Sequence, residues 1–260
     1  MSGYLDCAKE AARRGATVLE EWRSRFQVQE KGRFDLVTQA DVTSQRIIRE
    51  FLTGNFPQHD FIGEEDQNRA APPGPDAPPT WIVDPLDGTT NYVHDCPMYS
   101  VSIGLQVAGE LVVGVVLDPS RPELFAAAKG LGAWLNQRRL QTSSSRRLEE
   151  ALLATGFPPD LRGQEYMLDW FRRLSLQTQS LRRTGSTALN LAYVAAGRFD
   201  GFWGFGNQPW DVAAGVVLVR EAGGTATNLD GSLFNPFTPD ALVSNGPMHP
   251  VLVDIFRKGL

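Results

Sequence analysis

The segment Trp81 to His94 (WIVDPLDGTTNYVH) places Asp84 and Asp87 three residues apart across a proline turn, directly after a short apolar run. Paired carboxylates at a strand end suit a hard divalent cation, which takes oxygen ligands and is commonly held by carboxylates together with a substrate phosphate. Behind them, Gly88-Thr89-Thr90 supplies flexible backbone whose N–H groups can point at an anion. A helix starting there would add a favourable dipole. Cation ligands followed at once by an anion-binding turn make a coherent arrangement for phosphoryl chemistry. The same letters also punctuate ordinary turns, since Asp-Pro and Asp-Gly favour turns wherever they occur.

Other acidic residues are weaker signals alone. Glu64 and Glu65 follow Gly63 in FIGEED, and adjacent glutamates are commonest on a solvated face. Asp41 stands three residues after Thr38, which fits a capping box at a helix start. Asp211 falls in the first turn of a helix opening at Pro209, where a carboxylate complements the dipole. His59, His94 and His249 share no spacing that suggests a catalytic pair or a metal site. Cys7 and Cys96 read as a core residue and a loop residue rather than as nucleophiles.

The elements that must position these groups follow from periodicity. Leu5, Ala8, Ala12, Leu19, Trp22 and Phe26 form the stripe of an amphipathic first helix. A second helix starts near Asp41, with Ile47, Ile48, Phe51 and Leu52 as its buried face. Arg69 to Thr80 (RAAPPGPDAPPT) is too rich in proline for regular structure and reads as a surface loop. Trp81 to Val83 is a strand expected to stop at Asp84-Pro85. Ser100–Val107 and Leu111–Leu117 form a hairpin, and 123–129 and 132–140 continue the meander. Beyond Leu148, strands at 151–154, 201–203 and 241–244 alternate with helices at 166–176, 186–196, 209–222 and 251–256. This predicts an N-terminal α+β half (1–147) joined to a C-terminal α/β half (148–260).

Composition narrows the class. The chain has 260 residues, is 42% apolar and 21% charged, and carries a net charge of −5. Disorder is excluded, and a broad nucleic-acid footprint would need a basic excess that is absent. The longest apolar runs fall short of the ~20 residues that a bilayer span requires. Asp6 and Glu10 stand where a signal peptide would carry basic residues, so a cytoplasmic protein is expected.

Taken in order, Asp41, Glu64-Glu65, Asp84-Pro85-Leu86-Asp87-Gly88-Thr89, Trp210-Asp211 and Gly223-Gly224 resemble the signature of the inositol monophosphatase family, within the lithium-sensitive, magnesium-dependent phosphatases. The likeness runs from the first helix to the last. It implies a layered αβαβα sandwich and a Mg²⁺-dependent phosphomonoesterase acting on an inositol monophosphate-like ester or a related sugar or polyol phosphate. Histidinol phosphate, fructose bisphosphate and 3′-phosphoadenosine nucleotides are the family's other substrates. Some bacterial members also bind transcription machinery, and members are commonly homodimers. Trp170 and Phe171, expected to be exposed, are interface candidates.

Carried across by position, the resemblance implies two or three Mg²⁺ ions. Glu64, Asp84 and the Leu86 carbonyl would hold the first; Asp84, Asp87 and Asp211 would hold the second; a weaker third is associated with Glu64. Gly88 and Thr89 would bind phosphate through their amides. Thr89 and Glu64 would activate the attacking water, with Asp41 supporting Thr89. Lys31 would neighbour the phosphate, and Gly185-Ser186-Thr187 would face the substrate. One position departs from the pattern. Where inositol-phosphate members carry a substrate-reading glutamate, seven residues before Asp211, this chain has Gly204. Glycine there is expected to leave room for a bulkier ester, unless Asn207 or another polar group of 205–208 takes the glutamate's part.

Overall fold

The computed structural model describes residues 1–23, 25–66, 72–74 and 76–259. Helix α1 (Ser2–Trp22) buries Leu5, Ala8, Ala12 and Leu19 on one face and ends four residues before Phe26. A hairpin of β1 (Val28–Gly32) and β2 (Asp35–Thr38) leads into α2 (Gln39–Asn55). Then come β3 (Asp60–Gly63), β4 (Thr80–Asp87) and the single turn α3 (Thr89–Val93). The meander is β5 (Ser100–Val107), β6 (Glu110–Asp118), β7 (Glu123–Ala128), β8 (Gly132–Leu135) and β9 (Arg138–Arg139). The remainder alternates: β10 (Leu152–Gly156), α4 (Tyr166–Ser175), β11 (Ser180–Arg182), α5 (Thr187–Ala195), β12 (Gly201–Gly204), α6 (Pro209–Glu221), β13 (Gly224–Thr227), β14 (Ala241–Asn245) and α7 (His249–Arg257). Of the proline-rich stretch, residues 72–74 and 76–79 have no regular structure, and 69–71 and 75 lie outside the described residues.

Strands β3 to β9 form one seven-stranded sheet in sequence order, antiparallel except for the parallel β3–β4 pair. The second sheet runs β11-β10-β12-β14-β13, parallel on one side of β12 and antiparallel on the other. Helices α5 and α6 lie between the sheets. From Val212 to Val219 every residue of α6 is buried, as is 188–195 of α5. A helix apolar all round needs cover on both sides, and the two sheets provide it. Helices α1 and α2 cover the outer face of the first sheet, and α4 and α7 that of the second. The order is αβαβα.

Two glycines set how closely α6 approaches. Gly104 on β5 and Gly114 on β6 are directly paired. A Cβ on Gly104 would come within 2.8 Å of the Ala213 Cβ, and one on Gly114 would run into the Ala214 carbonyl of α6. This seat holds Asp211, at the start of α6, against the end of β4.

Two expectations are corrected. Trp170 is only 7% exposed and packs with Phe256 at 4.6 Å between rings, so it belongs to the core beneath α4 rather than to an exposed face. Its neighbours Met167 and Leu174 share the same helical stripe, which explains the burial. Strand β4 does not stop at Asp84-Pro85 but continues to Asp87. Among the described residues, no helix is long and apolar enough to cross a membrane.

His249, at the start of α7, lies between the Ser244 hydroxyl at 2.8 Å and the Thr227 hydroxyl at 3.0 Å. Burial lowers its pKa from 6.5 to about 4, so the folded protein holds it neutral. Its contribution to stability is complete above pH 6.5 and is lost as pH falls towards 4. Between pH 7 and pH 5 this amounts to about 2 kcal/mol. In denaturant titrations, His249→Gln should be less stable at pH 7 but lose about 2 kcal/mol less on acidification; parallel losses in both proteins would refute the assignment.

Candidate active site

Asp84 pairs with Ser102 on β5, but Asp87 pairs with Ser100, so three steps on β4 oppose two on β5. That is a bulge, and Pro85, which has no N–H for the ladder, sits inside it. In a regular strand, residues three apart point to opposite faces. The extra residue returns Asp84 and Asp87 to the same face. The Leu86 amide donates to Asp84 Oδ1 at 2.9 Å, and Ser44 of α2 donates to the Pro85 carbonyl at 3.3 Å.

The following turn needs glycine. Gly88 has φ +96°, and a Cβ there would approach the Met98 carbonyl at 2.8 Å and the Gly185 carbonyl at 3.3 Å. Gly185, at φ +90°, backs onto the Asn91 side chain. Asn91 Nδ2 donates to the Met98 and Thr184 carbonyls at 2.7 and 2.8 Å, joining the two turns. Past Gly185, Ser186 caps α5, and the start of that helix faces Asp87. The Ser186 hydroxyl and the amides of Thr187 (3.2 Å) and Ala188 (2.7 Å) all donate to the Asp87 carboxylate. Among the described residues, the amides of Gly88 and Thr89 donate to no protein acceptor.

Asp41 closes the capping box of α2 and reaches Thr89 with its other oxygen. Oδ2 accepts from the Thr38 amide and hydroxyl at 2.8 and 2.6 Å, and Oδ1 accepts from Thr89 Oγ1 at 3.1 Å. Thr89 Oγ1 is also 3.1 Å from the Leu86 carbonyl. Lys31, on β1, bridges Glu64 at 3.0 Å and Glu65 at 2.6 Å. Sequence reasoning missed the groups that fix this glutamate turn. Gln45 Oε1 accepts from the Glu65 amide, and Asp66 accepts from the Gly63 amide, Gln45 and Arg49. Gln45 lies one turn beyond Asp41 on the buried face of α2, a spacing that could have found it.

Asp211 caps its own helix by accepting from the Gln208 amide at 2.7 Å. The Ser102 hydroxyl, opposite Asp84, donates to the Trp210 carbonyl at 3.1 Å and ties the start of α6 to the sheet. The gathering of the acids shifts their ionisation. Burial, then the charges of Glu64, Asp87 and Asp211, raise the Asp84 carboxyl well above its usual range. Burial and then the Asp87 charge do the same to Asp211. Burial raises Asp87 to about 6 despite its three donors, and Asp41 to about 6 despite Thr38. Burial and the Glu64 charge raise Glu65 to about 7. Burial pulls the Lys31 ammonium down, but Glu64 and Glu65 outweigh it and hold it above an ordinary lysine.

The acids gather without forming a finished coordination shell. Among the described residues, no three acidic, histidine or cysteine side chains converge at metal-holding spacing. Asp87 is engaged by α5, Glu64 by Lys31 and Asp211 by Gln208. Each of these carboxylates meets a donor of its own. A concentration of buried oxygen donors with raised pKa values fits a hard divalent cation, which would relieve their mutual repulsion.

The model of the inositol monophosphatase family matches residues 1–259. The chain belongs to the inositol monophosphatase family. It is 43% identical over 252 residues to the inositol-1-monophosphatase of Synechocystis, covering 96% of this chain and 87% of that protein. It is 43% identical over 238 residues to the Nus factor SuhB of Pseudomonas aeruginosa, covering 89% and 88%. The crystal structure of the extragenic suppressor protein suhB from Bartonella henselae superposes with a TM-score of 0.92 at 38% identity, covering 99% of this chain and all of that one. The inositol monophosphatase of Anabaena gives 0.88 at 40% identity, covering 99% and 96%.

Beside the acids, past the start of α5 that holds Asp87, lies a cavity of about 310 Å³, lined in part by Gly185, Ser186 and Thr187. Gly204 pairs with Gly156, which also lines it. The expected extra room at Gly204 is not found. A Cβ there would come within 2.7 Å of Asn207 Oδ1 and of the Phe202 ring. Asn207, itself held by the Pro239 carbonyl at 3.1 Å, fills the position without lining the cavity, so it does not stand in for the glutamate towards that space.

Restoring the family's glutamate should therefore meet a steric barrier. Gly204→Glu alone is expected to destabilise by about 1–3 kcal/mol, the usual cost of overpacking. Adding Asn207→Gly should recover part of that loss, giving favourable coupling in a double-mutant cycle measured by chemical denaturation. Strictly additive costs would show that Asn207 is not the obstacle.

Proposed function

We propose that this chain is a Mg²⁺-dependent phosphomonoesterase that hydrolyses a small phosphate ester by direct attack of water. The observation that carries the reading is the concentration of buried, mutually repelling carboxylates at Asp84, Asp87 and Asp211 beside a turn whose amides meet no protein acceptor among the described residues. Glu64, Asp84, the Leu86 carbonyl, Asp87 and Asp211 would hold two or three ions. Bound Mg²⁺ lowers the pKa of water and offsets phosphoryl and leaving-group charge.

The chain's own groups supply the rest. Gly88 and Thr89 present amides to the phosphoryl oxygens. Thr89 Oγ1 donates its hydrogen to Asp41, which leaves its lone pairs available to accept from an incoming water. Asp41, with its pKa near 6, is a stronger base than an exposed carboxylate and supports that relay. Glu64, whose charge acts on Asp84, would take a proton from the same water. Lys31 steadies Glu64 and offsets part of the site's negative charge. The two halves, 1–147 and 148–260, would meet at this site, and the enzyme would be cytoplasmic and homodimeric.

Asp84→Asn tests the ligand set better than substitution of Asp87, whose carboxylate also caps α5. Phosphate release in Mg²⁺ should fall roughly 10³-fold, since a single preorganised group is worth about 10²–10³. In chelator the variant should melt higher than wild type, because one repelling charge is gone. Retention of more than a tenth of the turnover would sink the assignment.

Lithium sensitivity is a separate expectation of the family reading. Replacing Na⁺ by millimolar Li⁺ at fixed ionic strength should slow steady-state phosphate release. Unchanged rates would count against it.

A second reading comes from relatives in Salmonella, Pseudomonas and Escherichia coli that carry the name Nus factor SuhB. Association of this chain with transcription machinery is tested by a pull-down from native extract using wild type and Asp84→Asn in parallel.

A further inference from the structure

Helix α2 meets the site at successive turns along one face. Asp41 Oδ1 accepts from Thr89 Oγ1 at 3.1 Å, and Ser44 donates to the Pro85 carbonyl inside the bulge of β4. Gln45 and then Arg49 follow at four-residue steps, and both reach the turn from Gly63 to Asp66. Side chains four apart share a helix face and are spaced about 6 Å along its axis. One rigid element therefore grips both turns that carry the water-activating groups of the phosphatase reading, Thr89 and Glu64.

Three successive amides around Glu64 each have an assigned acceptor. The Gly63 amide donates to Asp66 Oδ2 at 2.9 Å, the Glu64 amide to the Val83 carbonyl at 3.1 Å, and the Glu65 amide to Gln45 Oε1 at 2.9 Å. Gln45 Nε2 donates to Asp66 Oδ1 at 3.1 Å, so one buried carboxamide ties the two ends of the turn together. A Cβ on Gly63 would run into Gln45 Oε1, which is why the residue before Glu64 has no side chain. Lys31 supports Glu64 less selectively. Its ammonium lies closer to Glu65, at 2.6 against 3.0 Å, and comes from a strand exposed along its whole length.

The position asks for an acceptor and a donor on one neutral side chain. Glutamate would lack the donor and add a charge beside Glu64, Glu65 and Asp66. An apolar side chain would leave the Glu65 amide without its acceptor. Gln45 is not among the residues lining the cavity, so any effect on the reaction passes through the turn that it holds.

We infer that Gln45 is a positioning residue for the hydrolysis. It fixes the direction in which Glu64 leaves its turn, and because it shares α2 with Asp41 it fixes Glu64 relative to Thr89. This rests on the phosphatase reading above, in which Glu64 and Thr89 act on one water. The two arms of that activation are thus set by the spacing of residues 41 and 45 on a helix.

The test compares Gln45→Met with wild type in the full chain, using inositol 1-phosphate, glycerol 2-phosphate and fructose 1,6-bisphosphate in saturating Mg²⁺. Methionine keeps the length of the side chain and drops the amide. On the best of these esters kcat should fall about 10- to 100-fold, since a displacement of ~1 Å away from the chemistry can cost ~10²-fold, while KM stays within about twofold. A second readout needs no turnover. The rise in melting temperature that Mg²⁺ produces should be smaller in Gln45→Met, because Glu64 would hold one of the ions. On a Glu64→Gln background, Gln45→Met should cost less than about a further twofold in kcat and leave the Mg²⁺-induced rise as it is, because the group it positions is gone. Should Gln45→Met fail to fold, Asp66→Asn loosens the same turn at a part-exposed side chain and should lower kcat in the same sense. Ile48→Val, buried on α2 away from this turn, should keep kcat within about twofold. Wild-type kcat in both Gln45→Met and Asp66→Asn, the same loss with and without Glu64, or an equal loss in Ile48→Val overturns the inference and leaves the phosphatase reading standing. Absence of release from all three esters by the wild type overturns both.

Discussion

Like charges brought together out of water resist folding, and this chain gathers at least four carboxylates around the end of β4. Everything nearby can be understood as containment of that repulsion. Asp87 is satisfied by the start of α5, Asp211 by the Gln208 amide, Glu64 by Lys31 and Asp41 by Thr38. Each partner comes from a different element, so the acids are held by the hairpin, α2, α5 and α6 together. Among the described residues Asp84 has no cationic or helix-capping partner of this kind; it accepts from the Leu86 amide of its own turn and, like Asp211, is raised well above the usual carboxylate range. It stands at the centre of the repulsion, where an added positive charge would be worth most.

Several of these groups serve folding and chemistry through separate atoms. One oxygen of Asp41 caps α2 while the other holds Thr89. Asp211 caps α6, and its charge also acts on Asp84. Interpreting an acidic residue as a helix cap or as a site residue is therefore a false choice here. The local motif fixes the carboxylate's position, and its unused lone pairs remain for function.

Legibility in the sequence followed the range of the forces involved. Turn chemistry and helix starts are local, so the segment from Asp84 to Thr89, the cap at Asp41 and the helix opening at Pro209 could be read from neighbouring letters. Strands β1, β11 and β13 could not. β1 is exposed along its whole length, β11 has three residues, and β13 follows the Gly223-Gly224 stop. None alternates strongly enough to declare itself, and each forms because a partner strand is supplied. The continuation of β4 through Pro85 depends on a bulge that only pairing with β5 reveals. Likewise, Gly204 looked like added space in sequence, whereas Asn207 and Phe202 reach it from three residues further on and two residues back. The five-layer order left one trace that could have been used: α5 and α6 are apolar nearly all round, as a helix covered on every side is.

The paired glycines under α6 imply a form of mutational fragility that a catalogue of site residues would not reveal. Adding one methyl group at Gly104 or Gly114 touches no acidic residue of the site and removes no charge. It would nevertheless lift the helix that carries Asp211 away from the strand that carries Asp84. The acidic residues of the site would all remain in the sequence while the distance between the two layers changed. Natural variation that silences such a protein can thus accumulate in the floor of its scaffold, and an intact motif is no guarantee of a working site.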